Sequence, residues 1–138
     1  MPAIAITPAS VVAGADADFF QGYAGATITA GMAVYEDAQD HKLREADCDG
    51  GARAASVKGI ALHGASDGQP LRIQIAGTLA IGGTTVAGAP YALGATPGTI
   101  TDAADVAAGS FYTAIGVGAA NNTLKLAIAP SGQVVPGP

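Results

Sequence analysis

Few side chains in this sequence are of kinds that make or break bonds, and their spacing limits what they can do. His41 stands in a charged stretch and His63 follows a short apolar run. Neither has a Ser or Cys nucleophile at a local spacing that would let the imidazole act as its base. Both therefore read as solvated or internally satisfied histidines. The run EADCDG gathers Asp47, Cys48, Asp49 and Gly50. A calcium loop needs oxygen ligands at several further positions and a closing bidentate Glu, so this run reads as an exposed acidic turn. Asp47 and Asp49 would also disfavour a thiolate on Cys48, the reverse of what a reactive cysteine requires. The pieces IGGTTVAG and IGVGAANN contain neither GxGxxG nor a Lys-Ser/Thr pair for phosphate, and they read as turns. The chemistry-bearing residues predict no catalytic, cofactor-binding or metal-ligating set, and hence no enzyme.

The elements that would position any site are organised around VKGIALHGASDGQPLRIQI, from Val57 to Ile75. Gly59 opens the run Ile60, Ala61 and Leu62, which is too short for a stable helix and gives way to the turn residues Gly64, Ser66, Asp67 and Gly68. After Pro70, which suits the first position of a strand, Leu71, Ile73 and Ile75 alternate with Arg72 and Gln74. That alternation predicts a half-buried strand and makes the whole stretch a hairpin. Upstream, Met1 to Ala15 is uncharged and carries Pro2 and Pro8. It reads either as an N-terminal arm lying on a partner or as an edge strand, Ile4 to Thr7 or Val11 to Ala13. Phe19, Phe20 and Tyr23 put three aromatics within five residues, a cluster that plugs a small core more often than it marks a binding face.

From Ala24 the pattern predicts a strand at Thr27 to Thr29, a turn at Ala30-Gly31 and a strand at Ala33 to Glu36. The charged middle, Glu36 to Lys58, reads as an exposed loop with a short strand around Leu43 and one helical turn near Ala52 to Ser56. Further strands are predicted at Thr78 to Ile81, Pro90 to Leu93, Phe111 to Val117 and across Leu124, Leu126 and Ile128. Asn121-Asn122 is a turn pair whose side chains tolerate positive φ. PSGQVVPGP reads as a loose end. The resulting division is 1–24 as arm or edge segment, 25–130 as one β domain and 131–138 as tail.

With 138 residues the chain fits one domain and can bury a core. Hydrophobic residues make up 49%, yet aromatics are 5%, Trp is absent and much of the apolar content is alanine. An Ala-rich core gains little per residue ordered, so self-association is expected to supply part of the stability. A mean hydropathy of +0.36 and a net charge of −5 argue against disorder. A pI near 4.6 with six scattered basic residues argues against binding a nucleic-acid backbone. One cysteine cannot form an internal disulfide, which fits cytosolic assembly. The start MPAIAITPAS lacks the regions of a secretory signal, and the uncharged stretch from Ile73 to Thr101 is broken by Gly and Pro, so no membrane span is expected. Because Ile73 to Thr101 and Val106 to Leu124 carry no formal charge, these neutral segments are expected to lie against other subunits while the charged middle faces water.

The two halves also resemble each other. Ala30-Gly31 matches Ala87-Gly88 and Gly59-Ile60 matches Gly116-Val117, both 57 positions apart, and Ile75-Ala76 matches Ile128-Ala129 at 53 if the second hairpin turn is four residues shorter. Either this is an internal duplication, or Ala-Gly pairs coincide in a chain with 20 glycines. Two such units facing each other would make a small β-sandwich or β-barrel, mainly β with short helical turns.

The segments TITAGMAVYED, VKGIALHGASDGQPLRIQIAGTLAIGGT, APYALGATPGTI and SFYTAIGVGAANNTLKLAI occur in that order between Gly25 and Ile128. Together they resemble the small β-rich capsid decoration proteins of tailed bacteriophages, also called cement or head-stabilisation proteins. The resemblance implies a structural virion protein on the capsid exterior, made and assembled in the bacterial cytoplasm. It would dock on the major capsid protein, frequently as a homotrimer, with no enzymatic activity and no cofactor. On that basis Ala3, Ile4, Ile6, Val11 and Val12 are expected to contact the capsid, and Leu79, Ile81 and Tyr91 to contact neighbouring subunits. A head-fibre base or tail-associated protein is the nearest alternative. A carbohydrate-binding adhesin-like module, which normally shows Trp or Tyr platforms, is a more distant one.

Overall fold

Among the described residues ten strands follow one another: β1 (Val12–Ala13), β2 (Asp18–Tyr23), β3 (Ala33–Glu36), β4 (Leu43–Glu45), β5 (Gly59–Ala61), β6 (Pro70–Ala80), β7 (Pro90–Leu93), β8 (Ile100–Asp102), β9 (Phe111–Ala120) and β10 (Thr123–Val134). The computed structural model describes residues 4, 6–7, 10–47, 55–94, 98–103, 106, 109–120 and 122–134. The protein is mainly β, and among the described residues there is no α-helix. The strands make one curled antiparallel sheet, a half-barrel, in the order β4-β3-β5-β6-β10-β9-β7-β8, with β1 and β2 both laid on β6.

The expected hairpin is present, since β5 and β6 pair with Ile60 opposite Gln74 and Ala61 opposite Ile73. Pro70 opens β6, where its missing N–H removes nothing from a ladder. Leu71 and Ile73 are buried and Arg72 is exposed, as the alternation requires. Two features differ from the expectation. The separate strands foreseen at Leu71 to Ile75 and Thr78 to Ile81 are one strand of 11 residues, and Gln74 is fully buried. Both follow from a bend at Gly77, where φ is +92°. Before the bend β6 pairs with β2 and β5, and from Gly77 onward with β10 and, at its end, β1. The Gln74 side chain spans the bend, its Nε2 donating to the carbonyls of Ala76 at 3.0 Å and Thr78 at 2.9 Å. The buried amide nitrogen is satisfied by these two carbonyls, of which that of Thr78 also accepts from the Gly14 amide at 2.8 Å, whereas the Gln74 Oε1 is buried with no hydrogen-bond donor among the described residues. The chain linking β1 to β2 passes over the same point, and a Cβ on Gly77 would stand 2.4 Å from the Asp16 carbonyl oxygen.

The likeness between the halves extends to their pairings. Val34 lies opposite Glu45 between β3 and β4, and Tyr91 opposite Asp102 between β7 and β8, each residue displaced by 57. Ala33 opposite Ile60 repeats as Pro90 opposite Val117. The Gly31 amide donates to the Ala61 carbonyl at 2.8 Å, and the Gly88 amide to that of Gly118 at 2.7 Å; both glycines have positive φ. Gly59 and Gly116 also correspond, by close approach of a neighbouring strand and not by positive φ. A Cβ on either would meet the backbone of the next strand, at Gln74 O (2.6 Å) and Lys125 O (2.2 Å). One alignment needs correction. Ala61 faces Ile73 and Gly118 faces Leu124, so by pairing the equivalent of Ile73 is Leu124, 51 positions on. The second hairpin turn is therefore six residues shorter, not four.

Two apolar clusters fill the curl. One gathers Ala33 and Ile60 with Leu79, Ile81, Tyr91, Leu93, Ile100, Ile115 and Leu124. The other gathers Ile28, Val34, Leu43, Leu71 and Ile73 within the first half.

Several boundaries shift. Of the two readings of 1–24, arm or edge segment, residues 18–23 follow the second, because β2 pairs with β6 along its whole length. The strand reading of Val11 to Ala13 corresponds to β1, which pairs with the end of β6. β10 runs through Val134, so residues 131–134 are strand and not a loose end. Thr27 to Thr29 contributes only a single bridge, Ile28 to Ala65. IGVGAANN is mostly strand, since β9 extends to Ala120; the turn contains Asn122, with φ +69°. β8 was not foreseen. The short strand at Leu43 is β4. The helical turn expected at Ala52 to Ser56 falls mainly outside the described residues, and Ala55 and Ser56 are not helical.

Candidate functional site

Among the described residues, exposed large apolar side chains are few: Val12, Phe19, Tyr23, Val86 and Val117. They are informative because a strand usually turns such residues inward. In β2 the alternation points Phe20 toward the core, half-buried, and leaves Phe19 at 47% and Tyr23 at 58% exposure. Val12, at 59%, stands on neighbouring β1. Between these strands lies an open groove of about 510 Å³, with β1 on one side, Phe19 and Gln21 of β2, Leu62 and His63 after β5, and Arg72 of β6.

The groove is fixed by the hairpin. Gln21 and Arg72 are cross-strand partners, so β2 pairing brings them side by side. The Arg72 guanidinium carbon lies 5.2 Å from the centre of the Phe19 ring, within cation–π range. His63 accepts a hydrogen bond at Nε2 from the Arg72 backbone N–H (3.1 Å) and donates from Nδ1 to the Gly64 carbonyl (2.9 Å). That pair of bonds requires the neutral tautomer with hydrogen on Nδ1. The imidazole is thus a wall of the groove, with both nitrogens engaged inside the fold.

The other described cations are paired. Lys42 meets Asp67 at 3.4 Å, Arg44 meets Asp40 at 2.8 Å, Lys58 meets Glu36 at 3.7 Å and Lys125 meets Asp16 at 3.9 Å. Lys58 also sits 4.4 Å over the Phe20 ring. Asp16 is held below the usual carboxylate range, first by the Thr78 backbone N–H (2.9 Å) and then by the Thr78 hydroxyl, with Lys125 adding to the effect.

The residues expected to contact a capsid are spread over different environments. Val12 is exposed in the groove, whereas Val11 is buried in the core cluster. Ile4 and Ile6 are half-buried against that cluster, and the Ile4 amide donates to the Ile100 carbonyl at 2.7 Å. Ala3 lies outside the described residues. The subunit-contact expectation for Leu79, Ile81 and Tyr91 needs correction, because all three side chains fill this chain's own core. The Tyr91 hydroxyl is itself tied down, accepting from the Val86 amide at 2.9 Å. Any contact made at those strands must use exposed neighbours such as Val86 and Val117.

Sequence reasoning missed Phe19, Gln21 and Arg72 as a group. The available signals were the pattern DFFQGY and a lone arginine in an otherwise uncharged strand. His41 adopts φ +60° in the charged loop, with Nδ1 4.0 Å from Glu36 Oε2. Among the described residues no three His, Cys, Asp or Glu side chains converge as metal ligands. Cys48, Asp49 and Gly50 lie outside the described residues. The site's inventory is an apolar surface, one cation and one amide, the means of recognition. No protein-family model matches this chain, and no curated protein matches its sequence.

Proposed function

We propose that this chain is a structural virion protein that binds the outside of a tailed-bacteriophage capsid and cements neighbouring major capsid subunits. One observation carries the proposal: four ordered segments between Gly25 and Ile128 resemble capsid decoration proteins. The mainly β fold is of the kind that resemblance implies, and exposed Val12, Phe19, Tyr23, Val86 and Val117 supply apolar contact area. Each bound copy, or homotrimer of copies, would bridge adjacent subunits through interfaces of about 1,600 Å². Many copies acting together multiply modest contacts and oppose rupture of the shell. The role needs no catalytic step and no cofactor, and places the protein on the capsid exterior after assembly in the bacterial cytoplasm.

The test uses purified protein and expanded shells assembled from the major capsid protein of the same phage. Co-sedimentation at saturating stoichiometry and a higher rupture temperature of the decorated shell are expected. Protein that stays in the supernatant at micromolar concentration and leaves the rupture temperature unchanged would overturn the proposal.

A further inference from the structure

We infer that the groove between β1 and the β2–β6 pair is a docking site for an extended protein segment in which a carboxylate side chain is flanked by apolar residues. The inference goes beyond the capsid proposal and does not depend on it.

The argument starts from Arg72. Among the described residues it is the cation left without a carboxylate, in a chain whose net charge is −5 and whose other described Lys and Arg are ion-paired. In a net-negative chain this arginine makes the apolar groove a local positive spot, and at that spot the complement is a carboxylate. Phe19 holds the guanidinium against its ring face. A cation–π contact of that kind uses none of the acceptors a guanidinium needs, so its N–H donors remain available for a carboxylate. Gln21, directly across from Arg72 and lining the same groove, adds a side-chain amide donor to it. His63 does not compete, because its two nitrogens are used by the Arg72 and Gly64 backbone.

The rest of the groove is apolar. Val12, Phe19 and Leu62 flank the cation, so a ligand gains by burying aliphatic side chains on either side of its carboxylate. The walls are strands, and β1 and β2 pair only with β6 among the described residues, so an extended segment can lie alongside them. A volume of about 510 Å³ lies within the range of ligand sites and suits a few residues, not a folded domain.

The test is a titration of the ¹⁵N-labelled full chain with the blocked peptide acetyl-Thr-Val-Glu-Val-Thr-amide and, separately, its Gln counterpart. The Glu peptide is expected to bind at least tenfold more tightly, to weaken as salt is raised, and to shift the amides of Phe19, Gln21 and Arg72. Arg72→Gln should bring the two peptides to equal affinity, and Phe19→Ala should weaken the Glu peptide by several-fold. Both positions are exposed, and thermal melting confirms that each variant is folded. Equal binding of the two peptides to the wild type, or an undiminished preference in Arg72→Gln, would overturn the inference. So would a wild-type dimer that Arg72→Gln converts to monomer, because the occupant would then be a second copy. Peptide binding without shell binding would leave this inference standing and remove the capsid proposal; the reverse result would do the opposite.

Discussion

Asp16 shows how one side chain can tie two parts of this sheet together. It sits in the link between β1 and β2, accepts the Thr78 backbone N–H at 2.9 Å and the Thr78 hydroxyl at 3.2 Å, and faces Lys125 on β10. These contacts favour its charged form and lower its pKa. A carboxyl whose folded pKa lies below its unfolded value, about 3.9, stabilises the fold fully above that value. The contribution is lost as pH falls through the folded pKa. Acid unfolding followed by circular dichroism should therefore show wild type and Asp16→Asn differing at neutral pH and converging at the acid end. Parallel curves across the whole range would show that the carboxylate contributes nothing. The side chains of the groove follow the same logic, since Phe19 and Arg72 matter only because pairing places them together.

At the scale of elements, β6 carries the design. It accepts four partner strands by dividing its length at Gly77, and that division needs a residue with φ +92° and no Cβ, because the β1–β2 link passes over it. Gly77→Ala should destabilise the fold by about 2–4 kcal/mol, combining left-handed strain with a backbone collision. Gly64→Ala is the control, since its Cβ would meet only ordinary contact, 3.4 Å from the Ile28 carbonyl, and should change stability by no more than about 0.5 kcal/mol. Urea denaturation of both variants makes the comparison, and equal midpoints would refute the account of the bend. Much at this scale was readable beforehand. Alternation revealed β6 through Leu71 and Ile73, and the turn glycines Gly31 and Gly88 fall where positive φ is required. β2 was obscured because Phe19-Phe20 places two aromatics in succession, a pattern that alternation alone cannot distinguish from a core plug.

For the whole molecule, the central question is whether the two halves act independently. Their pairings repeat, yet β6 contributes Leu71 and Ile73 to one apolar cluster and Leu79 to the other. Ile60, from the first half, packs with Leu93 and Ile115 from the second. The clusters should therefore unfold together. Leu71→Ala and Leu79→Ala, one in each cluster, are each expected to cost about 2–5 kcal/mol. In calorimetry each variant should show one transition at lower temperature. Two resolved transitions in either variant would mean that the halves are separable domains.

The sequence by itself determined that this is a mainly β protein, where most of its strands and turns lie, and that its chemistry-bearing residues do not fall into a recognisable catalytic pattern. Those properties are local: alternation, β-branching and the φ preferences of Gly and Asn act over a few residues. Tertiary structure alone decided that Leu79, Ile81 and Tyr91 are core, that Gln74 is buried across a bend, and that Phe19 meets Arg72 in a groove. Each depends on which strand pairs with which over long separations, and neutral apolar strands with similar patterns do not encode that choice in any one segment.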